Sequence, residues 1–216
     1  MQRAAGMFFL WLITGTTGAA DLVVKVRDAA GRSLADAVAV AVPADGAIRL
    51  PPKRPLETQE QIHHEFVPFV NPILVGSAVS FPNKDNVRHH VYSFSLAKRF
   101  ELPLYVGTPA QPVVFDKPGV VVLGCNIHDW MIAYIYVSES PYYAKTDANG
   151  SARIANLPAR AYTVRVWHPR LEGSEEATRQ PADLAGAGGA ELVFTLRLKA
   201  EQRVRRAPVP GHGGRY

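Results

Sequence analysis

Hydrophobic and polar residues alternate over short segments along most of the chain, and a period of two predicts β-strands. Residues 37–42 are the clearest case, because a valine occupies every second position. A turn is predicted before them, where Gly31 is free to adopt positive φ. Further strands are predicted at residues 22–27, 79–81, 91–94, 113–115, 120–123, 132–137, 162–167 and 192–198. Pro and Gly separate these segments at short intervals, which predicts an all-β sandwich or barrel.

Two stretches interrupt the strand pattern and divide the chain. Residues 50–55 read Leu-Pro-Pro-Lys-Arg-Pro, which predicts a stiff, extended linker because Pro restricts both itself and the residue before it. Residues 138–141 form the second break. The segment 59–137 between them has about 80 residues, which is enough for one small β-sandwich. Its polar start, residues 57–65, is the one place where a short helical turn is predicted.

The candidate chemistry lies in this middle segment. Cys125 is the only cysteine, and it stands with His128 and Met131 in a Cys-x2-His-x2-Met arrangement. Thiolate, imidazole and thioether together select copper, and two His with one Cys and a weak axial Met form a blue-copper electron-transfer site. The second histidine is His89 or His90. Side chains of a strand alternate between faces, so only one of this pair can face the metal.

Residues 1–20 have the pattern of an export signal. Arg3 precedes an apolar run at 7–13, and small residues end at Ala20. This run is shorter than the roughly 20 residues that span a bilayer, so we predict a soluble periplasmic protein without a transmembrane segment, with an uncleaved membrane anchor as the alternative. A lone cysteine in an oxidising compartment is then a metal ligand or a small buried residue.

The charge balance is modestly basic. The formal net charge is +5, and part of it lies in an Arg-rich, Pro/Gly-rich end at residues 199–216, which we predict to be a disordered tail. Such an end is typical of a solvated terminus, and export argues against a nucleic-acid partner. The excess positive charge can weakly steer an acidic redox partner towards the protein.

The middle segment resembles the small blue-copper proteins, the cupredoxins. The resemblance rests on Phe66-Val67-Pro68, on a Phe-x-Asn-x-Asp pattern that ends at Asp85, and on the short Cys-x2-His-x2-Met loop, which is similar to that of amicyanin. The segment looks most like plastocyanin-like exported proteins that are labelled methylamine-utilisation proteins. The resemblance implies a Greek-key β-sandwich that binds one type 1 copper.

The resemblance also implies individual roles. Cys125 binds as thiolate, His128 supplies a nitrogen and an exposed ring edge for electron transfer, and Met131 is the weak axial ligand. His89 is the remaining ligand, since the family has it two residues before a strand valine, here Val91.

Four other residues receive weaker assignments. His90 replaces an Asn that holds the two ligand loops together in the family. Trp130 is predicted to lie beside the metal or to pack in the core. His63 and His64 are predicted to be polar surface residues.

The flanking segments resemble carboxypeptidase-regulatory-like (transthyretin-like) sandwich modules. The similarity lies in residues 28–38, 146–150 and 154–164, although Arg160 stands where the family's turn has Gly. This implies one outer β-sandwich built from residues 21–50 and 141–198, with the copper domain inserted into one of its loops. Two domains in series is the alternative.

These features predict an exported carrier of single electrons between a protein donor and a protein acceptor, and a monomer. A copper-delivery protein whose metal is cargo is the alternative, and an interaction module that uses the cupredoxin as a scaffold is a third. We do not expect an enzyme. The chain lacks the His-x-His pairs of multicopper oxidases, the second cysteine of a binuclear site, and any Ser/His/Asp signature.

Overall fold

The alternating segments form strands, and the all-β prediction is confirmed. The computed structural model describes residues 19–186 and 188–201, which contain seventeen strands and one short 3-10 helix, Glu175–Thr178. The strands are β1 (Ala19–Asp28), β2 (Val38–Pro43), β3 (Leu56–Thr58), β4 (Glu60–Ile62), β5 (Glu65–Val67), β6 (Val70–Leu74), β7 (Ser77–Ser80), β8 (His89–Ser95), β9 (Lys98–Tyr105), β10 (Val113–Phe115), β11 (Gly119–Gly124), β12 (Ile132–Ser138), β13 (Tyr143–Lys145), β14 (Ser151–Pro158), β15 (Ala161–Trp167), β16 (Gln180–Asp183) and β17 (Ala190–Leu196).

The helical turn predicted at residues 57–65 is wrong, because this segment is extended and contributes to β3, β4 and β5. Its alternation was hidden by glutamines that face inward. Gln59 and Gln61 are fully buried, and their side-chain amides donate to the carbonyl oxygens of Pro68 and Phe81 at 2.8 and 3.4 Å. Buried polar side chains that find such partners can occupy core positions of a strand.

The first and last parts of the described chain build two facing sheets. One has the order β14-β1-β17 and the other β13-β2-β15-β16. Their shared core is largely apolar and comes from both sides of the middle segment in sequence. It consists mainly of small and branched aliphatic residues, such as Leu22, Val24, Ile154 and Val164, together with the aromatic Phe194.

The middle segment builds a second pair of sheets and a small hairpin. The larger sheet has the order β6-β12-β11-β8-β9, the smaller one β10-β7-β3, and the hairpin pairs β4 with β5. Their core includes Phe81, Phe115 and Leu123, and it also contains Cys125 and Met131. The two sulfur-bearing residues therefore lie at the edge of an apolar interior.

Strand β2 connects the two cores because both of its faces are buried. Ala37, Ala39 and Ala41 pack into the outer core. Val38 and Val40 point to the other side, where they join a separate cluster with Val70 and Tyr136 of the middle segment. The Ala/Val alternation thus places small residues towards one layer and larger residues towards the next.

A buried ionic cluster lies at this same boundary. Arg165 of β15 forms ion pairs with Glu139 and with Glu175, the latter at 2.6 Å. The Tyr136 hydroxyl lies 3.0 Å from both carboxylate oxygens of Glu175 and donates to this group. Burial and the adjacent Glu175 carboxylate raise the pKa of Tyr136, so the phenol stays protonated and holds the two layers together.

Two sequence predictions fall largely outside the described residues. The first is the export signal at 1–20, of which only Ala19 and Ala20 are described, as the start of β1. The second is the tail at 199–216, which is described only to Glu201. Within the described part of the chain, no helix is long and apolar enough to cross a bilayer.

Candidate metal centre

Three side chains of types that bind metals converge in the middle sandwich. His89, Cys125 and His128 each offer a ligand atom, and these atoms all lie within 4.8 Å of one another. The Cys125 Sγ atom lies 4.0 Å from His89 Nδ1 and 3.7 Å from His128 Nδ1. His89 and Cys125 are buried, whereas His128 is half-buried. The cluster therefore has one partly accessible side.

Asp85 determines how His89 presents its ring. His89 Nε2 lies 2.8 Å from Asp85 Oδ2. An ionised carboxylate only accepts hydrogen bonds, so Nε2 donates to Asp85, and Nδ1 is the ring nitrogen that faces Cys125. A carboxylate behind a ligating histidine fixes its tautomer and orientation in many metal sites.

Asp85 is ionised because it accepts several hydrogen bonds. Burial alone would raise its pKa, but bonds from the His64 backbone N–H, the His89 ring and the His63 backbone N–H outweigh burial and lower the pKa of Asp85. The backbone nitrogen of His63 lies 2.7 Å from one carboxylate oxygen, and that of His64 lies 2.9 Å from the other. Asp85 itself donates its backbone N–H to Asn83 Oδ1 at 3.0 Å, which holds the segment before β8 in place.

The loop between β11 and β12 carries Cys125, His128 and Met131. It is short and closed by a hydrogen bond of 3.0 Å from the Met131 N–H to the His128 carbonyl. Met131 is buried and belongs to the same core as Cys125. Gly124 ends β11 directly before the loop, and the Tyr92 ring lies so close to it that an added Cβ would come within 2.8 Å of the ring.

His90 lies on the opposite side of the strand from His89. An irregularity in the pairing of β8 with β9 falls between His89 and Val91, so His90 does not take part in the regular ladder. Its ring contacts Tyr92, and its Nε2 lies 3.0 Å from a Glu101 carboxylate oxygen, close enough for an ion pair when the imidazole is protonated. Both partners belong to β8 and β9, so these contacts of His90 do not connect the two ligand loops.

His64 was predicted to be a polar surface residue, and this prediction is wrong. Its ring makes edge contacts with His128 and His89, with centroids 5.0 and 5.7 Å apart. Trp130, expected either beside the metal or in the core, contacts the His128 ring at 5.2 Å. No sequence pattern indicated the position of His64, because it depends on how the β4–β5 hairpin folds over the site.

The donor set fits copper. One thiol and two imidazoles, with the thioether of Met131 in the same core as the thiol, combine soft and intermediate ligands, which suit copper better than the oxygen-preferring ions. His89, Cys125, His128 and Met131 are therefore the residues that would hold the ion.

Several solved structures are similar to this chain. A Cu-containing nitrite reductase from Thermus scotoductus SA-01 is 30% identical over 45% of this chain, with a TM-score of 0.36, and the chain spans only 25% of that enzyme. A purple cupredoxin from Nitrosopumilus maritimus is 23% identical, with a TM-score of 0.34 over 38% of this chain and 99% of its own. A mutant of amicyanin in its reduced Cu(I) form is 17% identical, with a TM-score of 0.35 over 46% of this chain and 98% of its own.

No known protein family matches the sequence, and no curated protein matches it either. The similarities above cover less than half of the chain, and their TM-scores lie below 0.5. The middle segment forms a β-sandwich, as predicted from its sequence. The resemblance of the flanking segments to transthyretin-like modules stays a prediction.

Proposed function

We propose that this protein binds one copper ion through His89, Cys125, His128 and Met131 and carries single electrons between redox proteins in the periplasm. The observation that carries the proposal is the approach of the Cys125 Sγ atom to two Nδ1 atoms, at 3.7 and 4.0 Å. A bound copper ion would supply one-electron chemistry between Cu(I) and Cu(II).

Electron transfer also requires that the chain itself positions the ligands and provides a route to the surface. Asp85 orients the His89 ring so that Nδ1 faces Cys125, which supports a ligand set that is positioned before the metal binds. The short loop fixes Met131 next to His128. Such preorganisation keeps rearrangement small when the charge of a metal changes. His128 is the half-buried member of the set and gives the shortest route from the site to the surface.

An electron carrier differs from an enzyme and from a copper-delivery protein in what its metal site must do. An enzyme needs an open ligand position or further reacting groups. A delivery protein must release its metal, whereas a carrier retains it in both oxidation states.

Voltammetry combined with a chelator challenge tests this proposal. We expect a reversible one-electron wave from the copper-loaded protein, and retention of copper in both oxidation states in the presence of a competing chelator. Cys125→Ser is the matched control, and we expect it to show no such wave. Rapid loss of Cu(I) to the chelator from the wild-type protein would support copper delivery and contradict the electron-carrier function.

A further inference from the structure

His64 contacts both candidate imidazole ligands from an element outside the ligand loops. Its ring lies at 81° to that of His128 and at 85° to that of His89, with the edge-on geometry of packed aromatic rings. Trp130 contacts His128 as well. The most accessible ligand of the site is therefore framed by two further rings instead of standing alone at the surface.

The turn that carries His64 has an unusual composition. His63 and His64 connect β4 to β5, and both have positive φ, 55° and 59°. Two-residue hairpin turns with this backbone prefer Gly, Asn or Asp, and His is also among the residues enriched at positive φ. The backbone therefore tolerates histidine at both positions, but it does not require a histidine at either.

Three hydrogen bonds hold this turn against the site. The Asp85 carboxylate accepts the N–H groups of both His63 and His64, and the Trp130 indole donates to the His64 carbonyl at 3.1 Å. The same carboxylate accepts the His89 ring. The position of His64 is thus fixed by the residues that also position one ligand and frame another.

We propose that His64 is a specificity-determining residue that covers the hairpin side of His128 and limits the approach of small molecules to this imidazole. A partner protein then has to contact the combined surface of His64, His128 and Trp130. The inference rests on the proposed function in so far as His128 exchanges electrons, but the shielding itself is a property of the folded chain without metal.

The first test uses the metal-free protein. Diethyl pyrocarbonate modifies accessible neutral imidazoles, and peptide mass spectrometry follows the reaction at His128. We expect His64→Asn to raise the rate at His128 several-fold, and His63→Asn to leave it unchanged. Asn tolerates positive φ, so neither substitution strains the turn. His63 shares the turn but is exposed, so comparison of the two variants separates shielding by the His64 ring from effects on the backbone. Equal rates in the wild-type protein and in both variants would overturn the proposal.

The second test uses the copper-loaded protein with hexacyanoferrate(III), which accepts one electron from Cu(I). We expect His64→Asn to be oxidised several-fold faster than the wild-type and His63→Asn proteins, with an unchanged visible spectrum. An altered spectrum would show that His64 acts on the metal itself, and an unchanged rate would remove its shielding role. A wild-type protein that is colourless and redox-inactive, but still shows His64-dependent protection of His128, would instead contradict the proposed function alone.

Discussion

The outer and the middle sandwich differ in what they bury. The outer core is apolar and consists mainly of small and branched aliphatic side chains. Both sandwiches also bury polar side chains, which are Gln61, Asn83 and His89 in the middle one and Asp28, Thr146, Arg165 and His168 in the outer one. Burying polar groups costs free energy unless each one is hydrogen-bonded, and in the middle sandwich these bonds connect the segments around the candidate ligands.

The buried polar groups of the middle sandwich form a supporting layer behind the candidate ligands. Asn83 donates from its side chain to the carbonyl oxygens of Val87 and Tyr105, both at 2.8 Å. The Tyr105 hydroxyl donates towards Gln61 and Phe81, and burial raises the pKa of Tyr105 to about 12, so it remains a donor. The comparison shows that the buried polar groups of the middle sandwich, unlike the ionic cluster around Arg165, lie next to His89 and the segment that carries it.

Replacement of the candidate ligand should have the largest effect. His89→Ala removes a buried nitrogen donor that faces Cys125, and we expect the copper-loaded variant to lose its blue colour completely. His90→Ala is the matched control, because His90 lies on the other face and contacts Tyr92 and Glu101. It should stay blue. Visible spectroscopy of both variants checks the prediction, and the reverse outcome would mean that the strand register is wrong by one residue.

The second largest effect is expected on stability when the middle sandwich is separated from the outer one. We propose that residues 21–50 and 141–198 are one outer domain, into which the copper domain at 59–137 is inserted. The excised segment 59–137 should fold and bind copper, because its core and all four candidate ligands lie within it. It should be less stable than in the whole chain, since each large side chain uncovered at the β2 boundary loses about 1.5–3 kcal/mol of burial.

Chemical denaturation of the excised segment with and without copper measures this loss. A fusion of residues 21–50 to 141–198 through a short Gly/Ser linker is the complementary test, and we expect it to fold, whereas neither part should fold alone. A disordered fusion beside a folded copper-binding segment would contradict the insertion. Failure of the segment to fold even with copper would show that the boundary around Tyr136 is indispensable.

The smallest effect is expected at the axial position. Met131→Leu should retain the thiolate–copper colour and raise the reduction potential, because loss of a weak donor favours Cu(I). A tenfold change in the relative affinity for the two oxidation states corresponds to about 59 mV for a one-electron couple. Voltammetry of the variant measures the shift. An unchanged potential, or loss of the metal, would argue against Met131 as axial ligand.

The parts of this structure that were predictable are those that local patterns encode. The alternation of Ala and Val at residues 37–42 predicted a strand, and the sequence motifs predicted that Cys125 and His128 lie close to a second histidine, as they do to His89. The burial of both faces of β2 was not predictable, because alternation does not distinguish a solvated face from one covered by a second domain. The position of His64 was not predictable either, since it follows from a hairpin turn and from long-range hydrogen bonds to Asp85 and Trp130.

The central claim is that the middle sandwich holds one mononuclear blue-copper centre. Loading of the purified protein with Cu(II), followed by visible and EPR spectroscopy and by analysis of bound copper, tests it most directly. We predict one copper per chain, an intense thiolate-to-copper absorption and the EPR signature of type 1 copper, all absent from Cys125→Ser. A colourless Cu(II)-loaded protein, or two tightly bound copper ions per chain, would contradict the claim.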